Sequence, residues 1–469
     1  MCIRDRPRYL PFLTHAEDRG LRETAYRAHV SRASQGEFDN APLIEEILTL
    51  RGQQARRLGY EHWAEVSLAS KMADDVPSVE ALLEELRSAA YPAAERELKD
   101  LQDCARRHGA AEADQLAPWD LTYWSEQLRR ERFDLDQEAL RPWFPLPRVL
   151  DGLFGLCSRL FDVEIRSGDG DAPLWHNDVG FYEVLRGGEV IAGFYLDPYS
   201  RPASKRGGAW MDECLGRKRR EDGSLVLPVA YLICNQTPPV GDIPSLMSFE
   251  EVETLFHEFG HGLQHMLTTV EEPEAAGISN VEWDAVELPS QFMENWCLDR
   301  STLMGMALHW QTGEPLPEEE FRKLLDSRTF NAGLGTLRQV HFALSDLRLH
   351  SQWSPDLGCS PDELRREIAV STTVMDPIPE DRFLCAFGHI FAGGYSAGYY
   401  SYKWAEVLSA DAFAAFEEAG LDQEDTVRSI GARFRDTVLS LGGSRSPSEV
   451  FEAFRGRQPS SDALIRHSG

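Results

Sequence analysis

Hydrophobic residues recur at helical spacing through the first quarter of the chain. From about Leu21 to Arg107 apolar positions return every three or four residues, which predicts amphipathic helices. Pro92 is expected to break or kink the second run because it removes a backbone donor, and Gly109 to end it. Prolines make the helices between residues 110 and 150 short, and an apolar helix is predicted at Leu150–Phe161.

The pattern changes between Pro173 and Asn235, where short β-rich runs alternate with turn signals. Gly-Gly at 187–188 and Asp-Gly at 222–223 mark two of these turns. The predicted strands are Gly180–Leu185, Val190–Leu196 and Leu225–Cys234. We expect them to form a small antiparallel sheet. The basic run Arg217–Arg220 is interpreted as a solvated hairpin tip.

Helical spacing returns from Ser248 onward. The predicted fold class is therefore mainly α with a small antiparallel β-sheet. Three segments are expected along the sequence: a helical segment 1–165, a β-rich subdomain 166–245, and a helical region 246–469 that carries the chemistry.

The composition narrows the classes of partner. The chain has 469 residues with 42% hydrophobic content, enough for a large core. Its 77 acidic and 48 basic residues give a net charge of -29, which disfavours binding to nucleic acid phosphates. Eight scattered cysteines without a CxxC pair favour a reducing compartment. With neither a secretory leader nor an apolar run of about 18 residues, we expect a cytoplasmic protein that has no membrane partner.

Candidate chemistry lies on the helix that follows Ser248. Ser248 and Glu251 form a capping box, which predicts a helix start at Phe249. An apolar stripe follows one side of this helix. His257 and His261, four residues apart, lie on the opposite, polar side.

Two imidazoles one turn apart can both reach a metal at about 2.0–2.1 Å. Glu258 lies about 100° further round the helix, where a general base for an attacking water would stand. This HExxH layout is typical of zinc peptidases, although an exposed helix with two solvated histidines has the same pattern. His265 is expected to be a bystander on the helix surface. Asp284 and Glu253 are candidates to accept a hydrogen bond from a ligand histidine.

A catalytic zinc usually has three protein ligands. The metzincin motif would place a third histidine at position 267, which is Leu267 here. A glutamate from a second helix is the alternative, and Glu287 lies on the polar side of that helix. Glu282 and Glu294 remain open as other choices.

The segment Phe387–Trp404 combines glycines with aromatic side chains. Tyrosine hydroxyls or a histidine N–H could stabilise the negative charge that develops on a peptide carbonyl under attack. The adjacent Gly393 and Gly394 suggest a loop that moves or passes close to a substrate. Tight helix packing with aromatic filler explains the same composition.

At these segments the sequence resembles the thimet oligopeptidase family of zinc metallopeptidases, and within it the bacterial oligopeptidase A branch. The matching segments are His257–His265, Trp283–Trp296, Phe387–Glu406 and Lys205–Asp212. The likeness runs nearly end to end and implies that Glu287 is the third ligand. It also implies a helical body split by a deep substrate channel, with one zinc ion at the channel floor.

The resemblance further implies that Tyr402, with His389 and Tyr395, contacts the scissile carbonyl or its oxyanion. It implies an extended substrate along a strand edge, for which Gly207–Asp212 is the candidate. Family members carry a long helical segment ahead of the point where this chain begins, so we expect an N-terminally truncated chain.

These observations predict a monomeric zinc endopeptidase for short unstructured peptides. His257, His261 and Glu287 hold one Zn²⁺, and Glu258 is the general base. Two alternatives remain. One is a dipeptidyl carboxypeptidase on the same frame, which would need a group for the substrate's C-terminal carboxylate. The other is a peptide-binding protein that the missing segment leaves catalytically impaired.

Overall fold

The computed structural model describes residues 6–134, 137–168, 170–201 and 203–468. Helices dominate, and the predicted mainly helical class with a small sheet is confirmed. The helices are α1 (Arg6–His15), α2 (Arg19–Val30), α3 (Ala41–Arg57), α4 (Trp63–Leu68), α5 (Val76–Arg107), α6 (Pro118–Phe133), α7 (Gln137–Leu140), α8 (Leu146–Phe161), α9 (Phe249–Met266), α10 (Leu288–Asn295), α11 (Arg300–Met306), α12 (Glu318–Ser327), α13 (Ala332–Ser351), α14 (Pro361–Thr372), α15 (Gly388–Phe391), α16 (Ser401–Ala419), α17 (Glu424–Phe434), α18 (Pro447–Arg455) and α19 (Asp462–Ser468). The strands are β1 (Glu164–Ser167), β2 (Gly180–Arg186), β3 (Glu189–Tyr199), β4 (Trp210–Leu215), β5 (Lys218–Arg219), β6 (Leu225–Val226) and β7 (Val229–Gln236).

The chain divides into two compact units, each assembled from separated segments. The first comprises the described residues of Met1–Leu135, Asp326–Trp404 and Ile465–Gly469, and the second those of Asp136–Leu325 and Ala405–Leu464. The division into three consecutive segments stays a prediction.

In the first unit, the long helix α5 packs against α13 at close range. A Cβ added to Gly333 of α13 would lie 2.6 Å from the backbone nitrogen of Ala94 in α5, so glycine allows this approach. Of the two effects expected of Pro92, the break does not occur, because α5 continues through it; the kink stays a prediction. The packing of Ala94 against α13 offsets the lost backbone bond. The helix ends at Arg107, just before Gly109, whose φ is +71°, as predicted.

In the second unit, a five-stranded sheet has the order β1-β2-β3-β7-β4. The pairs β1–β2, β2–β3 and β4–β7 are antiparallel. The expectation of a wholly antiparallel sheet needs correction, because β3 and β7 run parallel, with Gly193 opposite Val229 and Asp197 opposite Ile233. The connection between them contains β4 and the hairpin β5–β6, so it is long enough to return the chain to the starting edge of the sheet.

Two predicted strand features have local explanations. The run Leu225–Cys234 is split into β6 and β7, since Pro228 between them cannot donate to a ladder. The basic run Arg217–Arg220 overlaps β5 of the two-stranded hairpin, and Gly223 in its turn has φ +83°, as the Asp-Gly signal predicts.

Helix α9 lies against one face of this sheet. Phe259 packs edge-to-face on Phe194 of β3, with ring centroids 5.4 Å apart. A Cβ at Gly262 would approach the Leu232 side chain of β7 to 3.0 Å. The apolar stripe of α9 is therefore the side buried against the sheet.

Among the described residues, no helix combines the length and apolar character needed to cross a membrane. The cysteines within the described ranges are free thiols: Cys104, Cys157, Cys214, Cys234, Cys297, Cys359 and Cys385.

Candidate active site

The start of α9 is fixed by the capping box that the sequence predicts. The Ser248 hydroxyl accepts the Glu251 N–H at 3.2 Å, and the Glu251 carboxylate accepts the Ser248 N–H at 2.7 Å. This reciprocal pair starts the helix at Phe249. It also sets the helical phase that leaves His257 and His261 off the sheet-facing stripe.

Glu287 precedes the first residue of α10, and a glycine lets α10 cross α9 closely. A Cβ at Gly260 of α9 would lie 2.5 Å from the Cα of Ser290. Pro289 sits in the first turn of α10, where its missing N–H costs nothing. The hydroxyl of Ser290 donates to Glu287 Oε2 at 2.9 Å. These contacts hold the Glu287 side chain against the histidine face of α9.

The three predicted ligands converge on one point. Glu287 Oε2 is 3.3 Å from His257 Nε2 and 3.2 Å from His261 Nε2, and the three groups could hold one metal ion. Ligand atoms bonded tetrahedrally to zinc at about 2.0–2.1 Å are about 3.3–3.4 Å apart. Both separations are close to that value, so the three donors fit a zinc ion.

Charge stabilises this group. Burial alone would lower the pKa of His257, but hydrogen bonds and charge from Glu287 and Glu294 outweigh it and raise the pKa to about 10. Burial alone would raise the pKa of Glu287, but His257 and His261 hold it well below its ordinary value. The ionised carboxylate of Glu287 and positive charge on the histidines therefore stabilise each other. This is expected at a site that binds a cation.

Glu294 contacts His257, although the sequence pattern offered it only as a possible third ligand. Its Oε1 accepts from His257 Nδ1 at 2.5 Å, which leaves Nε2 facing Glu287. Glu294, one of the glutamates left open as third ligand, thus lies at Nδ1 of His257, while Glu287 lies at Nε2. Glu294 lies two helical turns after Glu287, so both side chains lie on the same side of the helix. This spacing was the sequence signal that Glu294 could reach the histidines. The orienting roles of Asp284 and Glu253 stay predictions.

Glu258 is 7% exposed, and burial raises its pKa. The backbone of Met211 in the edge strand β4 acts in the opposite direction and lowers this pKa in part. His265 is not the surface bystander that was expected. It is fully buried, and its Nε2 donates to the Leu215 carbonyl at 3.0 Å, which ties α9 to β4.

The remaining predicted site residues belong to the first unit. The rings of Tyr395 and Tyr402 stack with centroids 5.0 Å apart. His389 lies 6.1 Å from the Tyr395 ring and 5.8 Å from the Tyr399 ring. The structure thus brings these three predicted residues together, and it groups the other four in the second unit.

Two other parts of the structure have features of a binding site. Cys104, His108 and Glu131 could also hold a metal, but burial raises the pKa of the Cys104 thiol to about 11 and Arg107 already pairs with Glu131 at 2.5 Å. This group is better explained as an ion-pair cluster.

A cavity of about 590 Å³ is lined by residues of β4, β7 and the loop after β3. The carboxylate of Asp197 in its wall binds Arg201 and Lys205. Asp197 thus already pairs with two of the cationic side chains that line the cavity. His257, His261 and Glu287 are not among its lining residues.

Comparison with known proteins decides the family. The model of Peptidase family M3 matches residues 12–469. The chain belongs to peptidase family M3. The resemblance inferred from the motifs is thereby confirmed.

Relatives of this M3 chain include plant and bacterial proteins. It is 57% identical to organellar oligopeptidase A, chloroplastic/mitochondrial, of Arabidopsis thaliana, over 99% of this chain and 59% of that protein. Identity is 56% to the probable cytosolic oligopeptidase A of the same plant, over 99% and 67%. It is 46% to oligopeptidase A of Escherichia coli (strain K12), over 99% and 68%. The chain thus spans roughly three fifths to two thirds of these relatives' length.

Solved structures share the M3 chain's fold at low identity. PZ peptidase A with inhibitor 2 matches with a TM-score of 0.56 and 14% identity, over 97% of this chain and 68% of that one. Oligoendopeptidase F from Enterococcus faecium matches with a TM-score of 0.51 and 13% identity, over 98% and 63%.

Proposed function

We propose that this chain carries the catalytic centre of a zinc-dependent endopeptidase that hydrolyses short unstructured peptides. The observation that carries the proposal is the convergence of His257, His261 and Glu287 on one point. Glu258, the residue after His257, is buried. Membership of a peptidase family supports it. So do the names of relatives, which are oligopeptidases.

His257, His261 and Glu287 would hold one Zn²⁺, a metal that two imidazoles and a carboxylate suit. When bound, zinc supplies a Lewis acid that polarises the substrate carbonyl and makes water a better nucleophile. Glu294 holds the His257 ring through Nδ1, so Nε2 keeps its lone pair for the ion.

Glu258 takes a proton from the attacking water and later passes it to the leaving amine. A carboxylate does this best when its pKa lies nearer to neutrality. Burial raises the pKa of Glu258 in that direction.

His389, Tyr395 and Tyr402 are proposed as donors to the oxyanion of the tetrahedral intermediate. Two phenol hydroxyls and an imidazole N–H are donors of the right chemistry, and their packing against one another supports a shared role.

The proposed substrate lies extended along β4. In the described sheet this strand pairs with β7 alone, so one backbone edge is left to bind a peptide. The strand starts at Trp210, within the predicted segment Gly207–Asp212. Met211 links this edge to Glu258. The monomeric state stays a prediction. The cytoplasmic location also stays a prediction, since relatives are named both organellar and cytosolic.

The test replaces Glu258 by Gln, with Glu250→Gln at an exposed position of the same helix as matched control. Glu258→Gln should retain about one zinc per chain yet lose at least about 10³-fold in kcat, because the proton acceptor is gone. Glu250→Gln should keep both the zinc and the wild-type kcat. Cleavage is measured with an internally quenched peptide, and zinc by elemental analysis. Normal turnover by zinc-loaded Glu258→Gln would contradict the mechanism.

Two substrate forms separate the alternatives. An endopeptidase cleaves a peptide whose C-terminus is amidated, whereas a dipeptidyl carboxypeptidase needs the free carboxylate. Peptide affinity without any cleavage in zinc-loaded wild-type protein would favour the non-catalytic binding protein.

A further inference from the structure

A buried aspartate on α13 binds three successive backbone amides of the aromatic–glycine segment Phe387–Trp404. Asp346 is 1% exposed. Its Oδ1 accepts from the Ala397 N–H at 2.9 Å, and its Oδ2 accepts from Gly398 at 2.8 Å and Tyr399 at 2.9 Å. Such charge-assisted bonds are strong. They hold a turn that is strained, since Ala397 has φ +48°.

The same carboxylate is linked to the earlier half of the segment through His350. Arg51 donates to His350 Nε2 at 2.8 Å. Arginine has no acceptor, so His350 Nε2 must accept and Nδ1 carries the proton. Nδ1 then donates to the Asp346 residue, with the carbonyl at 2.8 Å and Oδ1 at 2.9 Å. Arg51 also donates to the carbonyls of Ile390 at 2.8 Å and Phe391 at 3.4 Å.

One network of polar side chains therefore forms hydrogen bonds with the segment Phe387–Trp404 on both sides of Gly393 and Gly394. His389 lies just before the carbonyls that Arg51 binds, and Tyr395 and Tyr402 flank the amides that Asp346 binds. Gly393 and Gly394 lie between the two hydrogen-bonded stretches, and Gly394 has φ +85°. The flexible pair joins two fixed ends, so the ends set where the three side chains stand.

We propose that Asp346 is a positioning residue that fixes His389, Tyr395 and Tyr402 for catalysis. This inference rests on the proposed function, in which those three donate to the oxyanion. Asp346 touches no reacting atom and acts through the backbone. Replacing it by Asn keeps the size but turns one acceptor into a donor facing N–H groups, which loosens the turn. Donors displaced by about 1 Å cost about 100-fold in rate.

The experiment compares Asp346→Asn with Asp120→Asn. Asp120 is another fully buried aspartate of the first unit, and it accepts from Arg19, Arg22 and the Ala117 N–H. With an internally quenched peptide, Asp346→Asn should lower kcat about 100-fold, change KM less than about threefold, and keep wild-type zinc content. Asp120→Asn should lower the melting temperature yet leave kcat within about twofold.

A second variant covers the case in which Asp346→Asn does not fold. Arg51→Met leaves the Asp346 carboxylate in place but removes the hydrogen bonds to the carbonyls of Ile390 and Phe391. It should lower kcat about tenfold. By hydrogen exchange, the amides of 397–399 should stay protected in Arg51→Met and lose protection in Asp346→Asn.

Folded Asp346→Asn with the kcat of Asp120→Asn, or Arg51→Met with wild-type kcat, would overturn the inference. Glu258→Gln is the reference. If it is inactive while the Asp346 and Arg51 variants are fully active, only the positioning role fails. If it too is fully active, the proposed function has failed.

Discussion

Replacing Gly260 by Ala should release zinc without unfolding α9. The added methyl carbon would lie 2.5 Å from the Cα of Ser290 and 2.8 Å from the carbonyl carbon of Pro289. Carbon atoms pack at about 3.5–4.0 Å, so the backbone of α10 must retreat by about 1 Å. Metal–ligand distances tolerate about 0.2 Å, and Glu287 moves with α10.

We therefore expect the zinc affinity to fall at least about 100-fold, which corresponds to about 2.7 kcal/mol. Overpacking costs about 1–3 kcal/mol of stability, and the better helix propensity of alanine returns about 1 kcal/mol. The variant should thus remain folded.

The matched control is Gly262→Ala on the same helix. Its added carbon would meet the end of the Leu232 side chain at 3.0 Å, and this flexible group can rotate away. Zinc affinity is measured by competition with a chromophoric chelator, and folding by circular dichroism. If Gly260→Ala binds zinc as tightly as Gly262→Ala, the role assigned to the α9–α10 approach is wrong.

Three other expectations concern charge and metal. Glu294→Gln keeps an acceptor for His257 Nδ1 but removes its charge, so zinc affinity should fall about tenfold in the same competition assay, and an unchanged affinity would contradict the orienting role. Zinc at 100 times its Kd should stabilise the protein by about 2.7 kcal/mol; calorimetry should show this as a higher Tm, which His261→Ala abolishes. Burial alone would raise the pKa of Asp197, but Arg201 and Lys205 hold it below its ordinary value. Its folded pKa lies below its unfolded pKa, so its contribution is present above about pH 4 and lost as pH falls through the folded pKa. Asp197→Asn should lower stability at pH 7 by about 2 kcal/mol and flatten the acid branch of the unfolding curve; an unaltered acid branch would refute this.

Local rules predicted much of the secondary structure correctly. The capping box at Ser248 fixed the start of α9, and the Asp-Gly signal marked the turn of the hairpin. Local rules failed where distant packing dominated. Helix α5 runs through Pro92 because α13 packs along it. The pairing of β3 with β7 is parallel, which the long connection between them allows, and strand propensity carries no information about direction.

The spacing of His257, Glu258 and His261 along one helix follows from the chain's residue order, since 3.6 residues per turn fixes which side chains share a face. Tertiary packing selects the carboxylates that meet them. It brought Glu287 Oε2 to 3.2–3.3 Å from both imidazoles and turned Glu294 toward His257 Nδ1. That choice depends on how closely α10 crosses α9 at Gly260. A crossing distance is set by packing between residues far apart in the chain, which no local pattern encodes.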